Sequence, residues 1–234
     1  MNAAPPRIAV VTFPGSNDDR DALLALERLG ATAVPVWHAD DHLPDVGAIV
    51  LPGGFSYGDY LRCGAIARFS PAMRAVVDFA AEGGLVLGIC NGFQILCEAG
   101  LLPGVLRPNA SLAFISRDVG LRVERTDTPF TAACSPRQRL TIPIKHGEGC
   151  WFVDDDLLAE LEARRQIVLR YEQNPNGSIG DVAGVCNEQG NIMGLMPHPE
   201  HAVDPLLGST DGALILSGVV EAARAAALRV AAVS

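Results

Sequence analysis

The 234-residue chain is 49% hydrophobic and 19% charged, which excludes a disordered polypeptide and supplies apolar residues enough for one large core. Its net charge of −9, with no basic run, excludes the electrostatic footprint of a nucleic-acid binder. Six cysteines, at positions 63, 90, 97, 134, 150 and 186, form no Cys-x-x-Cys pair and no regular spacing, so reduced thiols of a cytoplasmic protein are expected in place of a disulfide framework.

Residues 1–6 lack a basic segment followed by an apolar stretch, so no secretory leader is expected. Ile8–Phe13 is rich in strand formers, and Leu23, Leu24, Leu26 and Leu29 then mark a helix stopped at Gly30. Thr32–Trp37 and Ala48–Leu51 read as the next strands. Ser70, followed by Pro71, is an N-cap with proline in the first turn of a helix running to Gly83. Leu85–Ile89 is a continuous apolar strand of the kind covered by helices on both faces, and a helical pattern follows it to Gly100. The second half changes character. Val119–Arg125, Leu140–Lys145, Ile167–Tyr171, Val182–Cys186 and Asn191–Met196 predict shorter strands, antiparallel or mixed, around a helix near Asp155–Arg165. From Ala213 onward Glu221, Arg224 and Arg229 interrupt the apolar run, which predicts an amphipathic helix and not a membrane span. With no long linker and no repeat, residues 1–234 read as one α/β domain. Its expected fold is an open, mostly parallel sheet flanked by helices, with an additional mixed or antiparallel strand region.

The chemistry concentrates at three strand ends, where open α/β sheets bind ligands. Gly88-Ile89-Cys90-Asn91-Gly92 has the form of a nucleophile elbow, a sharp strand-to-helix turn that presents the central side chain. The positive end of the following helix favours a thiolate at Cys90, and the Asn91 backbone N–H is placed to donate to an oxyanion. A lone cysteine is ordinarily a small core residue; this frame makes Cys90 a nucleophile. In Pro197-His198-Pro199-Glu200, residues two apart in an extended segment share a side, so Glu200 can orient the His198 ring and leave its other nitrogen to a thiol. Taken alone, a His-x-Glu pair is a surface pair. The third element is Leu51-Pro52-Gly53-Gly54-Phe55-Ser56-Tyr57-Gly58-Asp59, whose glycines let backbone N–H groups approach a reacting oxygen. It could also be a plain turn. A phosphate cradle is disfavoured, because neither Gly-x-Gly-x-x-Gly nor Gly-Lys-Ser/Thr is present there. His198 and His201 could pair on a metal, but Pro199 interrupts helical spacing and no third ligand is evident, so no metal is expected. His146-Gly147-Glu148 has no adjacent nucleophile and reads as structural or partner-facing.

Pro52-Gly53-Gly54, Gly88-Ile89-Cys90-Asn91-Gly92-Phe93-Gln94 and Pro197-His198-Pro199-Glu200, in this order and spacing, resemble the class I (triad) glutamine amidotransferases, a family of flavodoxin-like α/β fold. Within that family the resemblance extends to the glutaminase subunits of phosphoribosylformylglycinamidine synthase. It rests there on Phe13-Pro14-Gly15-Ser16-Asn17, Phe55-Ser56-Tyr57-Gly58-Asp59, Asn109 to Arg117, Pro143 to Gly149 and Gly208-Ser209-Thr210-Asp211-Gly212. The resemblance implies Cys90, His198 and Glu200 as the triad and Gly54 and Asn91 as oxyanion donors. It also implies Gly53, Phe55, Gln94, Asn109, Ser111 and Arg117 as glutamine contacts. No cofactor is expected on this chain. The implied partners are a synthetase subunit that uses ATP and Mg²⁺ to convert formylglycinamide ribonucleotide to its amidine, and a small bridging subunit. Three readings compete: the amidotransferase part of another synthase, a stand-alone γ-glutamyl hydrolase, and a non-catalytic regulatory subunit.

Overall fold

The computed structural model describes residues 4–233. Its first half alternates strand and helix: β1 (Arg7–Thr12), α1 (Asp19–Arg28), β2 (Thr32–Trp37), β3 (Ala48–Leu51), α2 (Pro71–Ala81), β4 (Leu85–Ile89) and α3 (Asn91–Glu98). The second half is strand-rich: β5 (Val105–Arg107), β6 (Ile115–Val123), β7 (Arg139–His146), β8 (Cys150–Phe152), α4 (Asp155–Ala163), β9 (Ile167–Tyr171), β10 (Val182–Cys186), β11 (Ile192–Leu195) and α5 (Gly212–Val233). Helix starts follow their caps. Ser70 accepts from the Met73 N–H ahead of α2, and Asp154 from the Leu157 N–H ahead of α4.

Nine strands form one sheet in the order β2-β1-β3-β4-β11-β10-β9-β6-β7, and β5 pairs with β8 in a separate ribbon. Pairing is parallel from β2 to β11 and antiparallel from β11 to β7, so the mixed region extends the parallel sheet edge to edge. Strands β3, β4, β10 and β11 are buried at every residue, as continuous apolar runs covered on both faces require. The strand that positions the site is β11. Last of the strands in sequence, it lies beside β4 with Leu195 opposite Ile89. The loop carrying His198 therefore leaves the sheet next to the turn carrying Cys90.

The structure departs from the sequence reading most at three strands. The strand expected over Val119–Arg125 spans Ile115–Val123, because Ser116, Arg117 and Asp118 are exposed residues held by pairing with β7. Strands β5 and β8 have three residues each, too few for any periodicity to register. Among the described residues no helix is long and apolar enough to cross a membrane.

Candidate active site

Cys90 sits between β4 and α3 at φ 50° and ψ −106°, a region that non-glycine residues occupy only where the surroundings impose it. Its N–H donates to the Leu195 carbonyl (2.8 Å) and its carbonyl accepts from the Gln94 N–H (3.1 Å), so β11 and α3 clamp the turn from both sides. The strained residue is thus the cysteine itself. The flanking glycines answer a different need. A Cβ on Gly92 would overlap the Leu51 carbonyl oxygen of β3, and one on Gly88 would lie 2.7 Å from the Gly92 carbonyl oxygen. They let α3 approach the sheet closely. The thiol lies 3.9 Å from the Lys145 carbonyl oxygen at the end of β7.

His198 is fully buried, and its Nδ1–H donates to Glu200 Oε1 at 2.6 Å. With Nδ1 so engaged, Nε2 is the free nitrogen, and no group among the described residues hydrogen-bonds to it. Burial works against protonation of this ring. Glu200 and then Cys90 outweigh that and hold its pKa above the ordinary imidazole value. Asp18, in the loop between β1 and α1, is the site residue that the sequence left unmarked. Its carboxylate lies 3.6 Å from His198 Nδ1 and 3.3 Å from His201 Nε2, and it is ion-paired with Lys145 Nζ. Burial would raise its pKa, but His201, His198 and Lys145 together hold it far below the usual carboxylate range. His198 and His201 are therefore joined by two carboxylates, with the facing atoms of all four within 4.8 Å. The sequence showed no third polar neighbour because Asp18 is 180 residues from His198. Lys145 Nζ and the His198 ring, whose pKa is raised, face these carboxylates, and no ion is assigned to the array.

The glycine-rich loop packs on the loop after β1. Asn17 and Asp18 N–H groups donate to the Gly53 carbonyl (both 3.2 Å) and Phe55 N–H to the Gly15 carbonyl (2.8 Å), which leaves the Gly54 N–H outside this ladder. Gly54 adopts φ 145°, open only to glycine, and a Cβ on Gly53 would strike the Asp18 carboxylate and His198 Cε1. The Cα of Gly53 consequently faces Asp18 and the histidine.

A cavity of about 220 Å³ opens above Cys90. Gly54, Phe55 and Gln94 line it. Gln94 is fully engaged: its side-chain carbonyl accepts from Asn91 (2.9 Å) and its amide donates to the Glu148 carbonyl (2.6 Å). Asn109, Ser111 and Arg117, expected as glutamine contacts, are not among the residues lining this cavity. Asn109 is completely buried, donating to the Ala113 and His146 carbonyls and accepting from His146 Nδ1 and the Gly149 N–H. It shapes the loop after β7. Ser111 bonds only its own turn, and Arg117 projects from β6 into a separate groove with Arg139 and Glu172. The cavity is also lined by Lys145, His146, Gly147, Glu148 and Phe114. The sequence reading gave His146-Gly147-Glu148 a structural or partner-facing role and gave Lys145 and Phe114 none.

Cys63 also lines the cavity. Burial, Asp59 and Glu148 all push its thiol pKa far upward, and burial does the same at Cys97. Both stay protonated. His146 is buried too, and burial followed by repulsion from His198 lowers its pKa to about 4.

Residues 5–211 match the model of the CobB/CobQ-like glutamine amidotransferase domain. The phosphoribosylformylglycinamidine synthase subunit PurQ of Rubrobacter xylanophilus is 60% identical over 218 residues, covering 93% of this chain and 99% of that protein. The subunit of the same name from Frankia casuarinae is 55% identical, covering 93% and 94%. Among solved structures, PurLQS from Thermotoga maritima has a chain that superposes with a TM-score of 0.86 at 47% identity, over 93% of this chain and 98% of that one. A glutamine amidotransferase from Thermotoga maritima shares the fold at 15% identity, with a TM-score of 0.57 over 94% and 96%.

Proposed function

The chain belongs to the CobB/CobQ-like glutamine amidotransferases, in the branch of the PurQ subunits of phosphoribosylformylglycinamidine synthase, and from that membership we propose that Cys90, His198 and Glu200 release ammonia from glutamine for a synthetase partner. The observation that carries the assignment is the His198 ring. It is pinned to Glu200 through Nδ1, has Nε2 free, and is raised in pKa in part by the neighbouring Cys90 thiol.

Cys90, having given its proton to His198 Nε2, attacks the carboxamide carbon of glutamine. The Gly54 and Asn91 N–H groups hold the oxyanion. His198 passes the proton to the amide nitrogen as the C–N bond breaks, and ammonia departs from a γ-glutamyl thioester. His198 Nε2 then accepts a proton from water, whose oxygen attacks the thioester carbon; the C–S bond breaks and glutamate leaves. Glu200 keeps the proton on Nδ1 and stabilises the imidazolium throughout. Phe55 and Phe114 flank the substrate, Lys145 and Glu148 face its charged end, and Gln94 braces the Glu148 backbone.

Ammonia released into water is protonated and stops being a nucleophile, so the acceptor must sit over the cavity. That partner is the synthetase subunit, which uses ATP and Mg²⁺ on its own polypeptide to convert formylglycinamide ribonucleotide to its amidine, with a small bridging subunit, in the cytoplasm. Phe55 and Phe114 are half exposed at the cavity and Tyr60, Leu61 and Leu112 are exposed beside them, an apolar surface suited to such docking. A diazo-ketone analogue of glutamine tests the site. The adduct is expected on Cys90; mapping by mass spectrometry mainly to Cys63 or Cys97 would overturn the assignment.

A further inference from the structure

The His198–Glu200 pair is usually sufficient to orient a base, yet here a second buried carboxylate faces the same ring nitrogen. Glu200 Oε1 is 2.6 Å and Asp18 Oδ2 is 3.6 Å from His198 Nδ1. Asp18 is no incidental neighbour. Its side chain is 4% exposed, and its backbone N–H is tied to the Gly53 carbonyl of the glycine-rich loop. Gly53 must lack a side chain for Asp18 and His198 to meet at all. Two carboxylates beside one imidazole leave excess negative charge in a buried site, and burying uncompensated charge is costly. The compensation comes from Lys145, whose Nζ pairs with Asp18 while its carbonyl oxygen touches the Cys90 thiol; His201 Nε2 lies between Asp18 and Glu200, 3.3 and 3.6 Å from their oxygens. Lys145 lines the cavity with its side chain 35% exposed, so one end of this array is open to substrate.

We propose that Asp18 is a positioning residue of the glutaminase site: a second carboxylate that seats the His198 imidazole against Glu200 and sets the charge balance of the Cys90–His198 pair, with Lys145 as its opposing counterweight. This rests on the nucleophile-and-base reading above. The groups facing His198 are Cys90 from the elbow, Glu200 and His201 from its own loop, Asp18 from the loop after β1, and His146 from β7. Asp18 in turn faces Lys145, His201 and His198.

The two partners carry opposite charge, so their removal must act with opposite sign. Losing the Asp18 charge makes the imidazolium less favourable and the thiolate more so. Both changes draw the transition to lower pH. Losing the Lys145 charge leaves Asp18 unbalanced and draws it to higher pH. An opposite charge at 4–6 Å typically moves a titration by one unit or more. The pH dependence of Cys90 alkylation by iodoacetamide, followed by peptide mass spectrometry on the full chain, reads this without glutamine turnover. The midpoint should move down by about one unit in Asp18→Asn and up in Lys145→Met, and return toward wild type in the double variant. Glutaminase pH profiles of the reconstituted complex should shift in the same senses. Shifts of the same sign in both single variants, or lower rates at every pH with an unmoved midpoint, would overturn the proposal. Opposed alkylation shifts in a chain that releases no glutamate, with or without partner, would support the coupling and overturn only the glutaminase reading.

Discussion

At the residue scale, two buried histidines of the same site are driven in opposite directions by their neighbours. His146 donates to the neutral Asn109 amide and has no carboxylate within its shell, so burial wins and its pKa falls to about 4. His198 faces Glu200 and Asp18 and is raised. The consequences for stability have opposite sign. His146 is neutral in the fold, whereas its unfolded counterpart binds a proton below about pH 6.5. Its contribution is present above that pH and is lost as pH falls toward 4, amounting to about 2 kcal/mol at pH 5. The contribution of His198 is complete below about pH 6.5 and is lost as pH rises through its higher folded value. Thermal unfolding between pH 6 and 5, where the His198 contribution is nearly constant, therefore reads His146. His146→Gln should flatten the fall in Tm over that window, and an unchanged slope would show that the fold tolerates the charged ring. Kinetics addresses the other carboxylate. Glu200→Gln should reduce kcat by about 10²–10⁴-fold with little change in KM, a smaller loss than Cys90→Ala, because it weakens the imidazolium without removing nucleophile or base. Full retention of partner-stimulated activity would return Glu200 to a structural role.

At the element scale, the site depends on how closely α3 approaches β3. Gly92→Ala places a methyl against the Leu51 carbonyl, and overpacking of this kind destabilises by about 1–3 kcal/mol while shifting the Cys90 turn. Activity should fall far more than stability. Ser70→Ala is the matched control: loss of the cap of α2 costs about 1 kcal/mol and should leave glutaminase activity unchanged. If Gly92→Ala retained full activity, the close approach would have no bearing on the elbow. The elements of the parallel half were legible because each carries its own signal, a continuous apolar run for β4 or a Ser-Pro cap for α2. The elbow and the His198-x-Glu200 spacing were legible for the same local reason. What escaped was non-local. Nothing near Asp18 in sequence announces that Gly53 will admit it to His198. Nor does the polar loop at Asn109 announce that its side chain makes four hydrogen bonds, within its own turn and to residues almost forty positions away.

For the whole molecule, one nine-stranded sheet brings five segments from distant parts of the chain to a single cavity, and that cavity opens beside exposed apolar residues. Leu61 and Leu112 are both more than 80% exposed and both hold positive φ, 71° and 54°, a conformation that costs free energy and is retained here at the surface. Leu61→Glu and Leu112→Glu should weaken stimulation by the synthetase subunit while leaving Tm within a few degrees of wild type. Equal stimulation in both variants would place the docking surface elsewhere. The central claim, a glutaminase that works for a partner, is tested most directly by glutamate release from the chain alone and with the synthetase and bridging subunits, ATP, Mg²⁺ and formylglycinamide ribonucleotide. The account predicts low release alone, strong stimulation in the complete mixture, and amidine product formed from glutamine. Full activity of the isolated chain, or no glutamine-dependent amidine in the complete mixture, would contradict it and favour a stand-alone hydrolase or the subunit of another synthase.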